Sequence, residues 1–155
     1  MKILSCLLSI MIASFCICLN GYSQKLTSEQ KEKIASEVTI LFEKAVKASE
    51  TFDAKMLADN VDDNLQAGFI INGRFFRSFD QVMEDFKEKT KGAKSQKMNT
   101  INKKITVLAD NAALLTASGN YSMELEDGRT LTGSFAWTLV YSKVNGNWKI
   151  IHTHM

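Results

Sequence analysis

The sequence has no proline and only two histidines, and its three cysteines, Cys6, Cys16 and Cys18, crowd at the amino-terminal end. With no proline, no ring fixes φ or deletes a backbone donor, so long helices and strands run without that interruption. Beyond Cys18 the chain has no thiol. It therefore has no disulfide, no thiolate nucleophile and no cysteine metal ligand there, and packing alone must hold it. Roughly 130 residues suffice for one core without staples. An excess of charge of one sign is also missing: the net charge is +2, with 19 basic against 17 acidic residues. That balance does not predict a nucleic-acid partner, which calls for a basic patch. The one basic stretch, Lys87 to Lys104, reads as a solvated helix end and strand, with attraction to an anionic ligand or lipid as the alternative. Serine-elbow, phosphate-loop, HExxH and dinucleotide motifs are all absent, so no cofactor is expected.

What the amino terminus does have is the pattern of a secretory signal over residues 1–23. Met1-Lys2 gives a short basic start, Ile3 to Leu19 is apolar or small, and Gly21-Tyr22-Ser23 offers small residues before a cut ahead of Gln24. This predicts export, to a periplasm or outside the cell, with no membrane partner after cleavage. An uncleaved anchor is the alternative, since about 17 apolar residues lie at the short edge of a bilayer span.

Residues 24–155 read as a single domain. Thr27 with Gln30 three positions on is a capping box. Ile34, Val38, Leu41, Phe42, Ala45 and Val46 then recur at helical spacing. Thr51 is expected to cap a short second helix carrying Phe52, Met56 and Leu57. Leu65 to Ile71 reads as a strand, Asn72-Gly73 as a tight turn and Arg74-Phe75-Phe76 as the return. Ser78 and Gln81 open a third helix, with Phe79, Val82, Met83 and Phe86 on one side, running to about Gly92. From Gln96 the texture changes to four long β runs, Met98–Leu108, Ala112–Leu125, Arg129–Ser142 and the terminal strand, parted by Asp110-Asn111, Asp127-Gly128 and Asn145-Gly146. Segregated helices and an antiparallel meander give the class α+β.

That order, with the ending Asn145-Gly146-Asn147-Trp148-Lys149-Ile150-Ile151-His152-Thr153-His154, resembles the NTF2-like superfamily, and within it the SnoaL-like and DUF4440-type branch. The resemblance implies a cone: a curved antiparallel sheet wrapped around N-terminal helices, enclosing an apolar cavity for a small hydrophobic ligand. It also implies a homodimer formed through the outer sheet face. It leaves the activity open, because that superfamily holds isomerases, cyclases, dehydratases and hydrolases beside oligomerisation modules.

Strand alternation puts Trp148, Ile150, His152 and His154 on one face and Lys149, Ile151, Thr153 and Met155 on the other. The histidine pair then reads either as pocket lining, with one imidazole as base or ligand orienter, or as satisfied structural histidines. Two metal ligands are a third reading, but a metal needs at least one more, and Glu124 or Asp127 would have to be recruited by the fold; no metal is expected. Phe135, Trp137, Leu139 and Tyr141 share a bulky face, and Ser134, Ala136, Thr138 and Val140 a small one suited to dimer packing. The candidate ligand-binding set is His152, His154, Trp137, Tyr121 and Phe69. A carboxylate base of the isomerase type would have to come from Asp62 or Asp63, since the hairpin Leu65 to Ile71 carries no acid. Both also read as turn and cap residues, so no catalytic residue is assigned.

Overall fold

Three helices and six strands follow one another along residues 25–155, the part of the chain that the computed structural model describes; the signal expected over residues 1–23 lies outside the described residues. They are α1 (Ser28–Glu50), α2 (Ala54–Asp59), β1 (Phe69–Ile71), β2 (Arg74–Phe76), α3 (Phe79–Lys89), β3 (Ala93–Ala109), β4 (Ala112–Leu125), β5 (Thr130–Val144) and β6 (Asn147–His154). No helix among the described residues is long and apolar enough to cross a membrane.

The helix starts follow from capping chemistry. Thr27 accepts the Gln30 amide while the Gln30 side chain accepts the Thr27 amide, the reciprocal box expected. Ser78 accepts the Gln81 amide at the head of α3. For α2 the expected cap is corrected: Asp53, not Thr51, accepts the Met56 amide. The Thr51 hydroxyl instead donates back to the Lys47 carbonyl and closes α1.

β3 to β6 form the antiparallel meander, and the sheet order is β2-β1-β6-β5-β4-β3. The sheet is curved, as expected, but mixed, because β1 joins β6 in parallel, Phe69 beside Thr153 and Ile70 beside His154. Strand β1 is also shorter than the run Leu65 to Ile71 predicts. Gln66 and Gly68 both take positive φ, which an extended strand does not allow. The expected turn holds: Asn72 and Gly73 are both left-handed and connect β1 to β2.

One face of the sheet, the inner one, receives α1. Ile34, Val38, Phe42, Ala45 and Ala48 are buried along the helix and recur every three or four residues, so they form a single stripe. The first three pack on Ala113, Leu115, Ala117, Leu139, Tyr141, Trp148 and Ile150. A second cluster, Phe69, Phe76 and Val82, sits under α3. Fully burying side chains of this size contributes about 1.5–3 kcal/mol each.

Bulges bend the strands. Lys94, Ile101 and Leu108 on β3 have no partner on β4, and Ile151 on β6 has none on β5. An extra residue breaks strict alternation and increases the local twist. Edge strand β3 thus combines irregular pairing with Lys94, Lys97, Lys103 and Lys104, devices that discourage another strand from adding there. This gives the basic stretch seen in the sequence a structural role.

Candidate functional site

The bulge at Ile151 decides where the histidines go. Ile150 lies opposite Tyr141, but His152 lies opposite Val140 and His154 opposite Thr138. Residues directly opposite share a face. Trp148 and Ile150 therefore point inward, whereas His152 and His154 point outward. The expectation that all four share a face is corrected. The two histidines do stand together, on the face of Ser134, Ala136, Thr138 and Val140, and Thr153 takes the inward position instead.

His152 is half-buried and its Nδ1–H donates to the Gly68 carbonyl at 2.7 Å. That fixes its tautomer and ties β6 to the loop before β1. His154 is exposed and lines a shallow groove of about 730 Å³ on the outer face. Across that groove run Lys104, Thr116, Thr138 and His154, each directly opposite the next on β3, β4, β5 and β6. The same cross-strand row continues through Ile70 on β1 to Phe75 on β2.

The other candidates are scattered. Phe69 is fully buried, its ring 5.3 Å from that of Phe79. Trp137 packs inward, edge-on to Phe42 at 6.1 Å and beside Phe135 at 4.9 Å, while its strand also passes along the outer groove. Tyr121 lies beyond the carboxyl end of α1, its ring against Gly133, where an added Cβ would come within 2.7 Å of it. There it lines an open cleft of about 930 Å³ with Lys47, Glu50, Met98 and Gly133. The five residues do not surround one cavity.

Lys47 and Glu50 went unmarked in the sequence because they sit among the charges of a solvated helix face. Only the interruption at Ser49-Glu50 hinted at them. The Glu50 carboxylate accepts the Met98 amide at 2.9 Å, pinning the helix end to β3.

The acids that could serve a base have structural work. Asp62 accepts both the backbone and side-chain N–H groups of Asn64. Asp63 accepts the Phe79 amide at 2.8 Å, at the start of α3. Glu124 pairs with Lys94 and Asp127 with Arg129, so neither reaches a histidine. Among the described residues no three His, Cys, Asp or Glu side chains gather as a metal site. Burial pushes the Tyr141 hydroxyl far up from its usual range. That hydroxyl, the Asn60 amide nitrogen, the second Asp63 carboxylate oxygen and the Thr153 hydroxyl are buried without a hydrogen-bond partner among the described residues.

A family model, that of the calcium/calmodulin dependent protein kinase II association domain, matches residues 34–155. The chain belongs to that family. Solved structures agree on the fold. A nuclear transport factor 2 (NTF2-like) superfamily protein from Salmonella enterica superposes with a TM-score of 0.72 at 20% identity, covering 80% of this chain and 90% of that one. A Xanthomonas campestris protein assigned to the kinase association domain gives 0.61 at 23%, covering 76% and 83%. A hexachlorocyclohexane dehydrochlorinase gives 0.68 at 12%, covering 83% and 87%. No curated protein matches. The NTF2-like cone implied by the terminal motif is thus the fold of this association-domain chain. The finer resemblance to the SnoaL-like and DUF4440-type branch rests on that motif alone.

Proposed function

We propose that this chain is a non-catalytic association module that pairs with a second copy of itself through the outer face of the sheet. The observation that carries this is the composition of that face. Its cross-strand row ends on Ile70 and on Phe75, which is 64% exposed. Around them stand Thr116, Ser118, Ala136, Thr138 and Val140, short side chains that keep the surface flat. Flat, lightly charged surfaces suit a two-fold contact in which the same patch meets itself. The family match favours the same reading. The inner face, in contrast, is taken up by α1.

The non-catalytic part rests on the acids and on His152. A general base needs a positioned partner in reach of a substrate. Asp62 and Asp63 are committed to a turn and a helix start, and His152 to a backbone carbonyl.

Sedimentation velocity across a concentration series tests the reading. A reversible monomer–dimer equilibrium, weakened at least tenfold by Phe75→Lys or Thr138→Glu, is the expected result. A strict monomer at every concentration overturns it.

A second reading is favoured by the cleft at the end of α1. Tyr121 and Met98 present apolar surface there, with Lys47 and Glu50 at the rim, a combination that suits a small, largely hydrophobic ligand. Native mass spectrometry of protein purified from its own host is the check, and persistent absence of a bound species removes this reading. The signal-like residues 1–23 support an exported module, periplasmic or secreted. Amino-terminal sequencing of the mature protein, expected to begin at Gln24, tests that.

A further inference from the structure

One row of side chains crosses the whole outer face: Lys104, Thr116, Thr138, His154, Ile70 and Phe75, each directly opposite the next. Strands are spaced about 4.8 Å apart, so the row spans about 24 Å. Its two ends differ in kind. Lys104, which makes no ion pair among the described residues, stands at one. The exposed Phe75 ring, lying over Gly68, stands at the other. The carboxylate of Met155 lies beside His154, so the centre of the face holds both signs of charge. The sheet curves around α1, so its outer face falls away toward the edges. Threonines near the middle and long side chains at the ends suit contact with a second face of the same curvature.

We infer that two copies meet with this row reversed, about a two-fold axis that runs along the strands between β5 and β6. This deepens the self-association reading above and rests on it. Reversal sets the two halves of the row against each other. Phe75 faces the partner's Lys104, Ile70 faces the partner's Thr116, and His154 faces the partner's Thr138. Each pairing is complementary. An ammonium is attracted to the face of an aromatic ring, a threonine methyl covers isoleucine, and a hydroxyl bonds an imidazole in either tautomer. The symmetry makes each pairing twice. An axis across the strands would instead set every residue on its own copy, with Lys104 on the partner's Lys104. Like charges brought together across an interface disfavour it, whereas the reversed row keeps the two lysines at opposite ends.

The chain from Gln24 onward holds every described element and no cysteine, so introduced thiols report alone. Ile70→Cys and Thr116→Cys are made as separate proteins, and their thermal midpoints confirm that both fold. The two sites stand three strands apart within one chain, about 14 Å. A short bismaleimide is added to each protein and to their mixture. The expected result is a covalent dimer from the mixture and little from either protein alone. A cross-link as strong in either protein alone overturns the reversed register. Sedimentation velocity supplies a second readout. Phe75→Lys sets a lysine on the partner's Lys104 and weakens pairing about tenfold or more. Adding Lys104→Phe to it exchanges the two ends and restores pairing to within about threefold of wild type; no restoration overturns the register. A dimer that gives no mixed cross-link keeps the self-association reading and removes this arrangement. A monomer at every concentration removes both.

Discussion

The Nδ1–H of His152 donates to the carbonyl of Gly68 at 2.7 Å, across 84 positions of sequence. It holds the closing strand to a loop that has left the sheet. His152→Ala leaves a part-buried carbonyl without a donor, which costs about 1–2 kcal/mol. His152→Asn, whose amide nitrogen can replace Nδ1, is expected to restore part of it. Urea midpoints of the three proteins decide. Equal midpoints for Ala and wild type would show the bond contributes nothing.

A second long-range tie joins the first helix to the last strand. The Trp148 indole N–H donates to the Glu37 carboxylate at 2.7 Å, and the Lys143 ammonium sits 5.1 Å from the Trp148 ring centre. Trp148→Phe loses the donor and part of the buried ring and is expected to cost about 2–3 kcal/mol. Glu37→Gln keeps an acceptor and is expected to cost under about 1 kcal/mol. A double-mutant cycle of Trp148→Phe with Glu37→Ala, which removes the acceptor, isolates the coupling; a zero coupling energy would mean the hydrogen bond is not made in solution.

These two ties show what the sequence revealed and what it withheld. The caps at Thr27 and Ser78 and the Asn72-Gly73 and Asn145-Gly146 turns were legible because each depends on residues a few positions apart. The helix stripe and the small outer face were legible for the same reason. The bulge at Ile151 was not. A bulge is set by which residue the partner strand skips, and Ile151 is as good a strand residue as Ile150. Missing it put His152 and His154 on the wrong face. The parallel pairing of β1 with β6 was equally hidden, since it joins segments some 80 residues apart. Asp53 replaced Thr51 as the cap of α2 because Thr51 is the carboxyl cap of α1, its hydroxyl spent on the Lys47 carbonyl.

Gly119 tests the β3 bulge at Ile101. The β3 backbone comes so close that a Cβ at Gly119 would lie 2.0 Å from the Asn99 carbonyl oxygen. Gly119→Ala is expected to cost at least about 3 kcal/mol, because the obstacle is backbone. Gly146→Ala meets open space at φ +80° and is expected to cost only about 1 kcal/mol. Similar midpoints for the two variants would contradict the bulge.

Acid stability has a named contributor. The Lys89 ammonium, hydrogen-bonded to the Asp85 carboxylate, and the nearby Arg74 guanidinium hold Asp85 below the usual carboxylate range. A lowered folded-state pKa adds stability that is fully present above the unfolded value, about 3.9, and is lost as pH falls through the folded one. Asp85→Asn is therefore expected to be less stable than wild type at pH 6, with the gap shrinking as pH falls below the unfolded value and through the lower folded one. A gap that stays constant across this range would exclude the pair as its source.

The parallel seam between β1 and β6 also sets an order of events. The meander β3 to β6 closes through short turns and needs no distant partner, whereas β1, β2 and α3 gain their seat only once β6 is in place. Local hairpins form quickly and long loop closures slowly. The unit from Asn60 to Lys89 therefore docks last and is the first to detach. In native-state hydrogen exchange the amides of β1 and α3 should open well below the global unfolding free energy, while those of β4 and β5 open only with the whole domain. The final strand is the latch for a segment made some eighty residues earlier.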